Sequence, residues 1–438
     1  MFKVLANAWK IADLRKKILF TLFILVLFRL GCAIPVPFLN ADALETLFSS
    51  YNASGNIFGY LNIMAGGALE QGTLFSLSIS PYINASIIMQ LLMVAIPALE
   101  KMMKEDSQRG QKIMNRWTRY LTIIFSLLLG FGYFTILLNG QNGQGGILEL
   151  EGKSVVFAGF VIVACFAAGA AIIMWMGEKI NEKGIGNGIS MILFAGIVSS
   201  APRMIMTAWA YMQNHKYNWV SILVIVAIVL ILLLMVAFVV FITNGERRIP
   251  VQYAKKVVGR KMYGGQNTHI PLKVNMTGVL PVIFAQSFVM LPTTICSFFP
   301  KLQNSWFGKL TAVNGGWGYA ICMFLLIVFF SYFYTMITFS PIEVANNLKK
   351  NGGFIMGIRP GRPTSDFITK TLNRITLLGA IFLGIVAALP SLAAGWFPEL
   401  AGLAVGGTSL LIVVGVALEF VQQLESQMVM RHYKGFLE

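Results

Sequence analysis

Residues able to do covalent or metal chemistry are few in this chain of 438 residues, and they are widely spaced. The three histidines and four cysteines lie far apart in the sequence: His215, His269, His432, Cys32, Cys165, Cys296 and Cys322. No two cysteines have the spacing of a zinc or redox motif. Gly152-Lys153-Ser154 has the ending of a phosphate-binding loop, but Ile147 stands where such a loop needs its first glycine. The sequence therefore predicts no catalytic residue, no metal site and no cofactor.

Charged side chains are also scarce, and their placement argues against ion chemistry. Only 12% of the residues are charged and 56% are hydrophobic, whereas soluble domains carry about 25% charged residues. The charges inside apolar stretches are Arg29, near the outer end of the first stretch, and Glu419, at the inner end of the tenth. Ion-coupled transporters hold ionisable groups near the middle of the membrane, and charge-selective channels use charged rings. The sequence counts against both.

Branched aliphatic side chains recur at helical spacing. Ile79 and Ile83 are four residues apart, as are Ile185, Ile189 and Leu193, so each set would share one helix face. Three more lie beside possible helix breaks: Leu280, Ile283 and Ile412. In a membrane protein such residues most often face lipid or pack against other helices. The alternative is that they line a pathway, where an apolar surface resists wetting and excludes ions.

Four apolar stretches contain residues that interrupt helices. The interruptions are Pro81 and Asn84, Gly186-Asn187-Gly188, Pro281 and Gln286, and Gly406-Gly407-Thr408. Such breaks survive in lipid only where protein or a water-filled cavity satisfies the freed backbone groups. The second, fifth, seventh and tenth stretches are therefore predicted to line a pathway.

The elements that would position these residues are ten apolar stretches, since crossing about 30 Å of hydrocarbon takes roughly 20 helical residues. The stretches run over about 18–35, 73–97, 121–138, 154–176, 185–201, 217–243, 279–299, 317–339, 375–397 and 402–420. They predict an all-α polytopic membrane protein with ten spans and a retained first helix. Of the 34 Lys and Arg residues, 28 fall on the side of the N-terminus, which predicts that both termini are cytoplasmic.

The ten spans divide into two halves of five. The N-terminal half covers 1–205 and includes a short apolar stretch at about 57–69 that cannot cross the membrane. The C-terminal half covers 206–438 and carries the long loops described next. Because five is odd, the halves would enter the membrane from opposite sides, as in inverted repeats. The alternative is ten helices without internal symmetry.

Two loops on the predicted cytoplasmic side, about 244–276 and 341–374, are longer than a helix connection requires. Both are basic. One interpretation is that they only satisfy the preference for positive charge on the cytoplasmic side. The other is a docking surface for an anionic partner, either an acidic protein or an RNA backbone.

Seven motifs, taken together, resemble the SecY family of protein-conducting channels over nearly the whole chain. They occur in the family's order: Gly66-Gly67-Ala68-Leu69, Ile79-Ser80-Pro81-Tyr82-Ile83-Asn84-Ala85-Ser86-Ile87-Ile88, Gly184-Ile185-Gly186-Asn187-Gly188-Ile189-Ser190, Arg247-Arg248-Ile249-Pro250 with Tyr253-Ala254, Lys273-Val274-Asn275, Gly357-Ile358-Arg359-Pro360-Gly361 and Gly407-Thr408-Ser409-Leu410-Leu411-Ile412. The resemblance implies two pseudo-symmetric inverted five-helix halves, closed from outside by a short plug helix at about 57–69. The plug positions are Ile57, Phe58, Leu61, Ile63, Met64, Gly66 and Gly67.

The resemblance also implies a constriction ring and a lateral gate. The ring positions are Ile79, Ile83, Ile189, Leu193, Ile283 and Ile412, with Ile185 and Leu280 as further members. The lateral gate would open between the second and seventh spans toward membrane lipid. Its polar positions are Asn84, Gln90 and Gln286.

The implied function is that of the pore-forming subunit of the bacterial Sec translocase, which is not an enzyme. It would move unfolded preproteins across the cytoplasmic membrane and release membrane segments laterally. The implied partners are SecE, SecG, the SecA motor ATPase, the ribosome with its RNA backbone, signal sequences and nascent chains. The docking positions for motor and ribosome are Arg247, Arg248, Lys255, Lys256 and Arg359. The alternatives are an inverted-repeat secondary transporter of small solutes and a non-transporting membrane scaffold.

Overall fold

The structure is a computed structural model, and most of its described residues are helical. It describes residues 2–53, 62, 64–105, 107–144, 147–149, 154–214, 219–253, 256–258, 261–263, 267–298, 317–396 and 406–434.

The N-terminal part of the chain is built from helices. They are α1 (Phe2–Lys10), α2 (Ala12–Gly31), α3 (Ala41–Ala53), α4 (Ser80–Ala95), α5 (Pro97–Glu105), α6 (Ser107–Gln144), α7 (Val155–Lys183), α8 (Gly188–Asn214) and α9 (Trp219–Thr243). A small α/β region and further helices follow. They are β1 (Glu246–Tyr253), β2 (Lys256–Val258), β3 (Lys261–Tyr263), β4 (Asn267–Lys273), α10 (Leu280–Phe298), α11 (Trp317–Thr338), α12 (Pro341–Lys350), β5 (Gly353–Ile355), α13 (Arg362–Trp396) and α14 (Gly406–Lys434).

Each predicted span overlaps one helix, in the order α2, α4, α6, α7, α8, α9, α10, α11, α13 and α14. Among the described residues, six stretches are long and apolar enough to cross a membrane: Gln108–Leu138, Val155–Lys183, Ile225–Thr243, Trp317–Lys350, Arg362–Leu389 and Thr408–Met430. Three apolar helices are shorter: Ser80–Ala95, Gly188–Pro202 and Leu280–Val289. The prediction of a helical polytopic membrane protein is confirmed, while the count of ten spans stays a prediction.

The residues predicted to interrupt spans mark helix starts. Pro81 lies in the first turn of α4, and Pro281 is the second residue of α10. Proline is tolerated there because the first backbone N–H groups of a helix have no partner within it. Gly186, with φ of +93°, turns the chain just before α8. The segment 73–79 was predicted as part of a span, but it forms turns, so α4 is short.

The two long loops fold into one unit, which the all-α prediction did not include. Strands β1 and β4 pair antiparallel, and β5 pairs with the other edge of β1. Ile249 and Val251 point to the buried face of β1 and pack with Leu272, Ile355 and Leu372. Since α12, β5 and the start of α13 occupy much of 341–374, this segment is structured and lies against the first loop.

The largest apolar core joins α2, α4, α7, α8, α9, α10, α11, α13 and α14. A second core lies where α3 packs on α6 and α7. There, Leu44 and Phe48 are buried against Tyr133 and Phe166.

Candidate functional site

The predicted ring residues converge at the starts of four helices. Seven of the eight pack in or against the largest core, and we call these seven the neck: Ile79, Ile83, Ile189, Leu193, Leu280, Ile283 and Ile412. Each lies at or within the first two turns of α4, α8, α10 or α14. Helix starts therefore bring to one place side chains that are more than 300 residues apart in sequence.

The neck is closed. The exposed fraction is 1% for Ile79, 2% for Ile83, 0% for Leu193, 1% for Ile283 and 0% for Ile412. Ile189 and Leu280 are partly buried against the same core. With so little exposure, these side chains are covered by the surrounding core in the described part of the chain.

Ile185 lies apart from the neck. It is buried in a separate cluster with Leu14, Ile18 and Leu424. The prediction that Ile185 shares a helix face with Ile189 assumed a helix that includes both. Because α8 begins at Gly188, the helical period does not extend back to Ile185.

Residues 64–69, which we call the plug segment, pack onto the neck core. Met64, Ala65 and Ala68 are buried in that core. Gly66 and Gly67 have φ of +68° and +85°, a left-handed conformation that glycine adopts without strain. The other predicted plug positions lie outside the described residues: Ile57, Phe58, Leu61 and Ile63.

One charged side chain binds the plug segment. Arg29, in the last turn of α2, donates through Nη1 to the carbonyl oxygen of Gly66 at 2.8 Å. The same nitrogen donates to Ser199 Oγ of α8 at 3.2 Å. The sequence marked Arg29 only as an isolated charge. Its partners come from two other elements, and no local pattern identifies them.

The predicted polar seam lies where α4 contacts α10. Asn84 and Gln286 are 5% and 3% exposed, and neither Asn84 Oδ1 nor Gln286 Oε1 accepts a hydrogen bond within the described part of the chain. Gln286 Nε2 donates to Tyr319 Oη at 3.3 Å, and Gln90 Nε2 donates to Ser86 Oγ within α4 at 3.3 Å. These two hydrogen bonds thus stay on one side of the seam each.

The basic loop unit presents arginines to solvent. Arg247 and Arg359 are exposed. Arg248 is also exposed, but it forms an ion pair with Glu246 at 2.6 Å. Lys255 lies outside the described residues, and the side chain of Lys256 does as well.

Three glutamines of α14 bind three other elements on the side of the loop unit. Gln422 Oε1 accepts from Lys273 Nζ at 2.8 Å and Gln427 Oε1 from Lys17 Nζ at 3.2 Å. Gln423 Oε1 accepts from the backbone N–H of Gly186 at 2.9 Å. No local pattern in the sequence predicts these bonds, which tie α14 to α2, to β4 and to the turn before α8.

Potential metal ligands are dispersed. Within the described ranges, no group of three His, Cys, Asp or Glu side chains is close enough to hold a metal ion. The absence of a metal site and of a cofactor stays a prediction.

Comparisons with known proteins agree on one family. The SecY family model matches residues 73–421. Protein translocase subunit SecY of Streptomyces coelicolor (strain ATCC BAA-471 / A3(2) / M145) is 43% identical over 443 residues, covering 100% of both chains. A solved SecY structure, described as having a plug domain that stabilises the closed translocation channel, superposes with a TM-score of 0.67 at 20% identity, covering 95% of this chain and 92% of that one. Sec61 in the canine ribosome-channel complex superposes with a TM-score of 0.62 at 18% identity, covering 95% and 93%. The structural likenesses show the fold, and the sequence matches show that the chain belongs to the SecY family.

Proposed function

We propose that this chain is the pore-forming subunit of a protein translocase in the bacterial cytoplasmic membrane, with both termini cytoplasmic. The observation that carries the proposal is the closed aliphatic neck at the starts of α4, α8, α10 and α14. Membership of the SecY family supports it, because the matched relative is a protein translocase subunit. The secondary-transporter alternative has no such support.

The neck suits a pathway for polypeptides of any sequence. Aliphatic side chains fit around a changing chain without binding a particular residue, whereas charged ligands would impose a preference. An apolar constriction also resists wetting when it is empty. The neck therefore seals against ions at rest and tolerates varied substrates when open. Nothing in this role requires catalysis, and we propose that the chain is not an enzyme.

The plug is the second seal. The plug segment packs on the neck core from one side, which supports the assignment of the whole 57–69 stretch as a plug. We assign the two halves, 1–205 and 206–438, as the bodies that separate when the channel opens.

The seam between α4 and α10 is the proposed lateral gate. Asn84 Oδ1 and Gln286 Oε1 are buried, and neither oxygen accepts a hydrogen bond in the described part of the chain. Burying such groups unpaired costs about 1 to 3 kcal/mol each, so they weaken a closed apolar seam. A signal sequence entering the seam would gain about 0.8 kcal/mol for each CH₂ group moved from water to lipid.

The loop unit is the proposed docking surface. Exposed Arg247 and Arg359 lie on two loops that β1 and β5 hold together, so one rigid surface can present both. Its positive charge suits the SecA motor and ribosomal RNA, and Sec61 was solved bound to a ribosome. SecE and SecG are the expected membrane partners. Because the sequence shows no recognisable nucleotide site, the work would come from the motor, from translation or from the proton-motive force.

Preprotein transport by the reconstituted complex tests the proposal. Vesicles containing the chain with its SecE and SecG partners receive SecA, ATP and a preprotein, and protease-protected preprotein is measured. The control is the same preprotein without its signal sequence. We expect protection that depends on ATP and on the signal sequence. Proton-driven solute uptake without any protection would contradict the proposal and favour the transporter.

The role of the plug has its own test. Deleting residues 57–69 should give the reconstituted complex a large unselective ion conductance that the intact protein lacks. If both proteins remain silent, either the stretch is not a sealing plug or the neck alone suffices, and the assignment of 57–69 as the seal is wrong.

A further inference from the structure

We propose that Arg29 is a latch that holds the plug segment closed and releases it when α2 and α8 move apart. This inference rests on the proposed plug. It assigns a positioning role to a residue that the ring, the gate and the docking surface do not use.

The latch joins three elements through the guanidinium group of Arg29. One guanidinium nitrogen of Arg29 donates to both the Gly66 carbonyl at 2.8 Å and Ser199 Oγ at 3.2 Å. The Ser199 hydroxyl in turn donates to the carbonyl oxygen of Gly196 at 2.7 Å. The bonds join α2, the plug segment and α8. Hydrogen bonds with a charged donor are stronger than neutral ones, so this contact is well suited to hold the segment.

The contact between the plug segment and α8 admits only glycine at position 66. A Cβ atom on Gly66 would collide with Ser199 Oγ and would lie 3.0 Å from Arg29 Nη1. Gly66 also has a φ of +68°, which side-chain-bearing residues rarely adopt. On α8, a Cβ on Gly196 would collide with the carbonyl oxygen of Met64. The plug backbone thus lies directly against α8 at Met64, and the carbonyl oxygen of Gly66 faces Arg29.

The charge of Arg29 also bears on its role. Within the described part of the chain, Arg29 forms no ion pair, and its side chain bonds the Gly66 carbonyl, the Ser199 hydroxyl and the Cys32 thiol. Arg29 is exposed in the last turn of α2, so its bond to the plug segment, and not burial of its charge, indicates its role. A basic residue in the last turn of a helix also interacts favourably with the helix C-terminus. That second role would not depend on the plug, so the two roles can be separated.

The geometry also indicates how the latch would release. The distance from Arg29 Nη1 to the Gly66 carbonyl oxygen is 2.8 Å, and beyond about 3.5 Å the two atoms no longer form a hydrogen bond. A relative shift of under about 1 Å between α2 and the plug segment is therefore enough. Since Leu193 of the neck and Ser199 lie on the same helix, α8, a movement of α8 that widens the neck also strains the latch.

The experiment measures ion conductance of the reconstituted complex with Arg29→Gln, in the intact chain and in the 57–69 deletion. Leu30→Ala is the matched control, because Leu30 is adjacent on α2 and 59% exposed. We expect Arg29→Gln to raise the resting conductance of the intact channel about 10- to 100-fold, from loss of a charge-assisted bond. Arg29→Lys should restore part of the seal. Leu30→Ala should change nothing.

The deletion background separates the latch from the plug. Once residues 57–69 are gone, Arg29→Gln should add no further conductance. If the deletion opens the channel but Arg29→Gln leaves the intact channel within twofold of wild type, the latch is wrong and the plug stands. If Arg29→Gln adds equal conductance in both backgrounds, Arg29 acts elsewhere and the latch is overturned. If the deletion itself opens nothing, the proposed plug fails and the latch fails with it.

A second variant keeps the inference testable if Arg29→Gln does not fold. Gly66→Ala removes the fit from the plug side and leaves Arg29 in place. Its conductance should rise to a level similar to that expected for Arg29→Gln, even though the strain at residue 66 lowers its melting temperature in detergent. A folded Gly66→Ala protein with a wild-type seal would overturn the latch.

Discussion

Leu193→Asn should open the neck, and the size of the effect follows from burial. Leu193 is 0% exposed within the neck. Fully burying a leucine side chain contributes about 1.5 to 3 kcal/mol, and burying an amide without a partner costs about 1 to 3 kcal/mol. Both terms act against the closed state, and hydration of an open neck relieves the second. At about 1.4 kcal/mol per tenfold change, the ratio of open to closed channels should rise at least about 50-fold.

The assay is single-channel recording of the reconstituted complex, and Ile185→Asn is the matched control. Ile185 is also buried, at 1% exposure, but it lies in the cluster with Leu14 and Leu424 and not in the neck. The control should lower the melting temperature to a similar extent without raising conductance. Equal opening by both variants would mean that conductance reports general destabilisation. Silence of a folded Leu193→Asn channel would refute the neck as the resting seal.

Three further predictions concern residues other than the seven neck residues. Gln423→Ala removes the 2.9 Å hydrogen bond from the backbone N–H of Gly186, so we expect the free energy of unfolding to fall by about 0.5 to 1.5 kcal/mol. Thermal denaturation in detergent measures this, and an unchanged transition would show that the bond does not stabilise the protein. Arg359→Glu reverses an exposed charge and should weaken binding of SecA severalfold at low salt without changing the melting temperature, whereas salt-independent binding would argue against electrostatic docking. Gly188→Ala places a Cβ against the carbonyl oxygen of Gly177, so the α7–α8 contact should open and the melting temperature should fall by several degrees. The control is the same substitution at Gly278, which has open space around it and should lower the melting temperature less.

Local patterns predicted the apolar stretches, because apolar runs identify membrane helices. The set of neck residues came from the family resemblance, since helical spacing alone left packing, lipid-facing and pathway roles open. The spacing argument failed for Ile185, since spacing alone does not show where a helix begins. The glycine turn ends at Gly188, and only residues after it follow the helical period.

The loop unit was missed for a different reason. Strand β1 contains the alternation of exposed and buried residues expected of a half-buried strand, with Ile249 and Val251 inward. The signal was available, but basic residues and Pro250 within the strand obscured it. The pairing of β1 with β5, about 100 residues later, is non-local, and no pattern in either loop specifies it. The partners of Arg29 belong to the same class of non-local information.

The two seals of the closed channel depend on different kinds of interaction, and this difference bears on how the channel would open. The neck is stabilised by apolar burial, which is non-directional and changes gradually with exposed area. The plug segment is stabilised by hydrogen bonds from Arg29 and by close contact at Gly66 and Gly196, which are lost over less than about 1 Å. A small movement of α8 would therefore release the plug first, and the neck without the plug would pass ions, as the conductance expected for Arg29→Gln requires. A polypeptide entering the neck would replace the lost contacts with its own and restore the seal against ions.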